Sequence, residues 1–347
     1  MKKSMKWITV CLAVVLLVTS CILPACAEET DPALQKALDK MKAVTLRFGT
    51  NQAKSSIAFQ GCQYWADMVN EKTGGKVKIE VYESNTLGSQ ADMLDGLKMG
   101  TVDISYSSPA VMSQAVPVVG VFDLPYIFTS KEQAYQVLDG EIGREVFEKA
   151  EKQEGYYVLA VFEGGFRQSI NSKKDIDQLA GYSGLKFRTP ESAIYLGLYE
   201  HLGAIPTAMD MSEVFTALQN GTVDGSESPL FTIFSNSWYE SAKHLTIDNH
   251  IYACNPILVS KRVFDKLPAE VQTLLRETCQ EATEWERAKT TSEEDGVIAK
   301  MEEAGVTVTR LSDEALDEIQ AAVSPVWENS AAKIGQDLID RVAGAGK

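Results

Sequence analysis

An amphipathic helix that ends at a glycine and runs into Gly-Thr-Val-Asp occurs twice in this chain, as MLDGLKMGTVDISYSSP at 93–109 and as VFTALQNGTVDGSESP at 214–229. In each copy the glycine suits a left-handed helix cap, and a short strand rich in small hydroxyl residues follows before a proline stops it. Two such units roughly 120 residues apart predict two similarly built lobes, not a solenoid array. The second copy lies in a longer alternation. GLKFRTP at 184–190 sets Leu185 and Phe187 against Lys186 and Arg188, which predicts a strand stopped by Pro190. A helix over 192–202, a strand at GAIPTAM and a helix from Asp210 follow, and Asp210 with Glu213 has capping-box spacing. Strand alternating with helix is the α/β pattern, and in open α/β sheets ligands bind beyond the carboxyl ends of strands. The strand ends at Tyr106–Ser108 and Glu227–Ser228 are therefore expected to wall one shared cleft, with Ser107, Ser108, Glu227 and Ser228 on it.

Residues 1–27 read as a secretory signal: three lysines (Lys2, Lys3, Lys6), an apolar run from Trp7 to Val18, then small residues. That run is short for a membrane span. Two forms of processing stay open. Val18-Thr19-Ser20-Cys21 fits a lipobox and a lipid anchor at Cys21, and Ala25-Cys26-Ala27 fits a signal-peptidase site. Either way the chain is expected in the periplasm or on the extracytoplasmic membrane surface. Removing the signal deletes three positive charges and no acid, taking the net charge from -15 to -18. Such acidity excludes a nucleic-acid partner, and it means that an anionic ligand must be held by a specific local cation.

Six cysteines are present, three of them in the signal or at its edge. Cys62, Cys254 and Cys279 remain, read as buried thiols, with a 254–279 bridge as the alternative that an oxidising compartment permits. The histidines, His201, His244 and His250, have no metal-ligand spacing, and no nucleophile elbow, phosphate loop or dinucleotide fingerprint occurs. Neither a metal nor a cofactor is expected, and the chain is read as a non-enzyme. From residue 268 to about 304 a single helix is expected, roughly 54 Å long at about 1.5 Å per residue. The aromatics Tyr195, Tyr199, Phe231, Phe234 and Trp238 read as core.

The order FGTN (48–51), TLGSQADMLDGLKMGTVD (86–103), LPYIF (124–128), GGFRQSINSKKDI (164–176), GLKFRTP (184–190) and SEVFTALQNGTVDGSESPL (212–230) resembles the solute-binding proteins of TRAP transporters, the DctP type. The resemblance implies an α/β two-domain periplasmic-binding-protein clamshell with mixed sheets, a hinge and a long helix spanning both domains. Mapped on this chain, 28–43 is a tether or short leading helix. Residues 44–164 with 254–293 form one domain, 165–253 with 294–347 the other, and the glycines of GGFRQSIN serve as a hinge. In that family the arginine of the GLKxR motif clamps the ligand carboxylate, which implies that role for Arg188. Arg167 supplies a second donor set, and Asn51, Ser107, Ser108, Met211, Glu227 and Ser228 line the rest. Read from the residues alone, Asn51 is a turn or capping asparagine. The implied ligand is a small organic acid or sugar acid, and the implied partner is a membrane permease served by a monomeric receptor. Departures at Ser108, Met211 and Ser228 from the sialic-acid branch argue against sialic acid. Two other functions stay open at this point: a ligand sensor for a receptor kinase, and an extracytoplasmic enzyme using a carboxylate such as Glu227 as base.

Overall fold

The computed structural model describes residues 31–346, so the signal segment and the Cys21 anchor lie outside the described residues. The Gly-Thr-Val-Asp echo has a physical meaning in it. Asp103 donates its N–H to the Arg47 carbonyl (3.1 Å), and its carboxylate accepts the Arg47 N–H (2.8 Å). Asp224 makes the same exchange with Lys186, at 2.7 and 3.0 Å. Each long cation then turns back to the carbonyl of the echo glycine: Arg47 Nη2 to Gly100 (3.0 Å) and Lys186 Nζ to Gly221 (2.9 Å). Both glycines take positive φ, +83° and +74°, which side chains resist. The motif therefore ends a helix and pins the strand after it beside the strand that carries the cation.

Around these two pins lie ten strands: β1 (Val44–Gly49), β2 (Val77–Tyr82), β3 (Ile104–Tyr106), β4 (Tyr156–Asn171), β5 (Lys186–Thr189), β6 (Ile205–Ala208), β7 (Gly225–Pro229), β8 (His244–Ile247), β9 (Tyr252–Ser260) and β10 (Thr307–Arg310). In the first lobe β1 lies between β2 and β3 and is parallel to both; in the second, β5 stands in the same relation to β6 and β7. The whole order is β2-β1-β3-β9-β4-β7-β5-β6, with β8 and β10 branching from β4. Antiparallel β9 and β4 join the lobes, giving the mixed α/β architecture. The GGFRQSIN crossing is not a loop. β4 runs through it as one strand, pairing with β9 up to Phe166 and with β7 from Arg167, with a register shift between Glu163 and Gly165.

The long helix spans Ala269–Glu303, with Pro268 at its N-cap. Its first half, Val271 to Ala282, packs with Trp65, Phe48 and Phe162 of the first lobe. Its last turns put Val297, Ile298 and Met301 against Leu218, Ile233 and Trp238 of the second. One rigid element is therefore built into both cores. Residues 31–43, the described part of the 28–43 stretch, follow the leading-helix alternative, with a helix over Pro32–Lys40 capped by Asp31 and buried through Leu34 and Leu38.

Two expectations are corrected and one alternative is decided. Asp210 caps the N–H of Ser212 (2.9 Å) on a 3-10 turn, with no return bond from Glu213, because the tighter turn brings the second residue rather than the third to the cap. The complete capping box lies at Ser89 and Asp92 instead. Residues 325–344, placed with the second lobe from sequence, cover the first. Pro325 opens a further helix over Pro325–Ile334, and Val326, Ile334, Leu338, Ile339 and Val342 join Val119, Phe122 and Phe128 of the proline-punctuated 117–128 wrap. The reading of Cys62, Cys254 and Cys279 as buried thiols holds: all three are free and buried, and Cys279 shares a cluster with Cys62 while Cys254 belongs to another, so the 254–279 alternative is not realised.

Candidate functional site

A cleft with about 1010 Å³ of open space, solvent at its mouth included, separates the two pinned sheets. It opens at the carboxyl ends of β1 and β3 on one side and of β5 and β7 on the other, as the α/β pattern requires. Asn51, Ser108, Arg167, Arg188, Met211 and Ser228 line it. Ser107 and Glu227 do not; both are fully buried behind the wall. The alternation of a strand explains the split, since Ser108 and Ser228 face the opening and their neighbours turn inward.

Arg188 ends up in the cleft because β5 reaches it after Phe187 has filled the second-lobe core. The residue is 4% exposed. Its Nε and Nη2 donate to the Met209 carbonyl at 2.9 and 2.7 Å, and among the described residues no carboxylate pairs with it and Nη1 has no partner. Burial is the main cause lowering its pKa to about 10, so it stays a cation at neutral pH. A buried cation with no carboxylate paired to it is costly, even with Glu227 and Asp210 near enough to favour its charge, and a carboxylate entering the cleft would relieve it.

Arg167 is placed differently. Its Nε and Nη2 grip Glu227 at 2.5 and 2.7 Å, and its guanidinium lies 5.1 Å from the centre of the Tyr195 ring. Glu227 also accepts from His250 Nε2 (3.1 Å), and His250 Nδ1 meets Asp248 (2.9 Å). Asp248 is anchored in turn by Ser169 Oγ and the Tyr182 hydroxyl, each at 2.7 Å. Burial pushes the Glu227 carboxyl up, but Arg167 and His250 outweigh it and hold the group at about 2. Burial likewise lowers His250, and Asp248 with Glu227 overcomes it, raising the imidazole to about 9. The network is a charge-balanced support for Arg167, with only Nη1 of that residue left without a protein partner. Glu227 thus stands behind the guanidinium, and His250, 1% exposed, belongs to the support and not to the cleft wall.

Sequence reasoning passed over Gln52, Gln90, Asn255, Glu163 and Glu286, all of which line the cleft. Glu286 arrives from the long helix, accepting the Glu163 N–H (3.0 Å) and the Thr290 hydroxyl (3.1 Å), and burial raises its carboxyl to about 8. A signal was available: Glu286 sits on the apolar stripe of that helix, where an acid needs a reason. Phe231, read as core, lies at the cleft surface. The lobes also touch at the mouth, where Asn85 Nδ2 donates to Asp210 Oδ1 at 2.9 Å.

Comparison with known proteins places this geometry in a wider set. Residues 48–334 match the family described as bacterial extracellular solute-binding protein, family 7. The C4-dicarboxylate-binding periplasmic protein of Rhodobacter capsulatus is 31% identical over 304 residues, covering 87% of this chain and 91% of that protein. Among solved structures, the sugar acid binding protein of Advenella mimigardefordensis in complex with galactonate superposes with a TM-score of 0.85 at 30% identity, over 88% of this chain and 98% of that one. A TRAP periplasmic solute-binding protein of Sulfurospirillum deleyianum with bound succinate gives 0.84 at 29% identity, over 88% and 100%.

Proposed function

Because the chain belongs to bacterial extracellular solute-binding protein family 7, the extracytoplasmic receptors of TRAP transporters, we propose that it captures a small organic or sugar acid and delivers it to a membrane permease. The observation that carries this reading is Arg188: a guanidinium 4% exposed, tied on one side to the Met209 carbonyl and unpaired with any acid of the described chain. An arginine meets a carboxylate with two parallel hydrogen bonds, a geometry that a lysine lacks. Arg167, fixed by Glu227, adds its free Nη1, and Asn51, Ser108, Met211 and Ser228 shape the remaining wall. Lobe closure then completes these contacts, with the Asn85–Asp210 bond forming across the mouth.

The relatives support the ligand class, since one is named for C4-dicarboxylates and two structures hold galactonate and succinate. Among the described residues the cleft presents binding groups and no activated nucleophile, which favours capture over catalysis. Native mass spectrometry of the purified chain with a panel of small acids and their methyl esters tests the reading. Adducts with acids and none with the esters are expected. Ester adducts as strong as acid adducts would refute a carboxylate clamp.

A further inference from the structure

The charges facing the cleft count to a single free cation. Its lining holds two cations, Arg167 and Arg188, and four acidic side chains, Glu163, Glu191, Asp210 and Glu286, the last uncharged at neutral pH because burial raises its carboxyl to about 8. Arg167 is already matched by Glu227, and the His250 between Glu227 and Asp248 adds no surplus. Lys131, the cation nearest the Glu163 carboxylate, is 3.2 Å from it and is shared with Glu294 at 2.8 Å. Arg188 alone is left without an acid partner among the described residues.

The rest of the wall is neutral and able both to donate and to accept. Asn255 is 8% exposed and its side-chain amide has no protein partner among the described residues. Gln90, 7% exposed, accepts the Ser108 hydroxyl at 2.8 Å, which leaves its NH₂ group free. Gln52 donates to Asn51 at 3.1 Å. Amides of this kind pair with hydroxyl groups, whereas a second carboxylate would meet only acids and neutral groups.

We infer that the cleft selects acids with one carboxylate and an uncharged, hydroxyl-bearing remainder, because Arg188 is the single cation among the described lining residues left to meet a carboxylate. This rests on the carboxylate clamp proposed above and commits it to one ligand class, polyhydroxylated monoanions. A second carboxylate would be buried without a cation to meet it, which is the repulsive half of specificity.

The test is calorimetry on the purified chain at neutral pH and fixed ionic strength with three probes: galactonate, the matching C6 dianion galactarate, and succinate. Galactonate is expected to bind at least about tenfold more tightly than either dianion. Equal or tighter binding of galactarate or succinate overturns the charge selectivity, and so does a lack of binding by all three. Repeating the titration with Arg188→Ala separates the two claims. A dianion that binds the wild type as tightly as galactonate or more tightly, and is lost in the variant, removes the selectivity and leaves the clamp standing. A galactonate signal unchanged in the variant removes the clamp.

Discussion

Replacing Glu227 by glutamine keeps the shape of the support behind Arg167 and deletes its charge. Glu227 is fully buried, and its carboxylate holds two guanidinium hydrogen bonds and one from His250. Burial pushes its carboxyl up, yet Arg167 and His250 leave it at about 2 against an ordinary 4.5. A gap of about 2.5 pH units is about 3 kcal/mol at 1.36 kcal/mol per unit, which agrees with the roughly 3–5 kcal/mol lost when one member of a buried pair is removed. At about 2 °C per kcal/mol for a chain of this size, the unfolding midpoint should fall by about 6 °C at neutral pH. Urea unfolding of ligand-free protein followed by tryptophan fluorescence reads the difference directly. The sign with pH is fixed too. A carboxyl whose folded pKa is depressed stabilises above its unfolded pKa, so the gap between wild type and variant should close as pH drops from about 4.5 towards 2. A variant within 1 kcal/mol of wild type at neutral pH would refute the account of this network.

Three further outcomes are expected. His250, raised to about 9 from an ordinary 6.5, stabilises the fold below 6.5 and loses that contribution, about 3 kcal/mol, as pH rises to 9. Asp123 and Glu286, raised by burial to about 7 and 8, weaken the fold in the same direction as they ionise, so the His250 share is the part of the decline absent in His250→Asn; equal declines would contradict it. Gly61→Ala should cost about 1–3 kcal/mol in urea unfolding, since the added methyl carbon would lie 2.9 Å from Phe162 Cε2 and 3.0 Å from Glu286 Cγ. Asn85→Ala removes the bond across the cleft mouth and should raise the ligand off-rate about 2–10-fold in stopped-flow measurements with an unchanged unfolding midpoint; an unaltered off-rate would deny it a role in closure.

The architecture was largely legible because it is local. The periodicities over 184–230, the glycine caps and the long helix are set by residues close in sequence, and the structure reproduces them within a residue or two. The meaning of Gly-Thr-Val-Asp was only half visible. That it ends a helix follows from the glycine, but the aspartate acts on Arg47 and Lys186, which are 56 and 38 positions away. Only with those bonds known does LRFGT at 46–50 emerge as the counterpart of LKFRT at 185–189, with Gly49 standing where the other lobe carries Arg188. Arg188 itself was named through a motif. What sequence could not supply is its lack of an acid partner, or the presence of one for Arg167, because pairing depends on Glu227 and His250 arriving from separate strands and loops. The tail failed for a similar reason: helical pattern says which face is apolar but not which lobe covers it.

The central claim is that Arg188 is the ligand's counter-charge. Calorimetric titration of wild type, Arg188→Lys and Arg188→Ala with galactonate tests it, or with whichever acid the mass spectra select. The account predicts a loss of at least about tenfold, 1.4 kcal/mol, for lysine and a larger one for alanine, with the unfolding midpoint of Arg188→Ala no lower than that of wild type because a buried unpaired cation has been removed. An Arg188→Ala protein that binds the acid as tightly as wild type would contradict it.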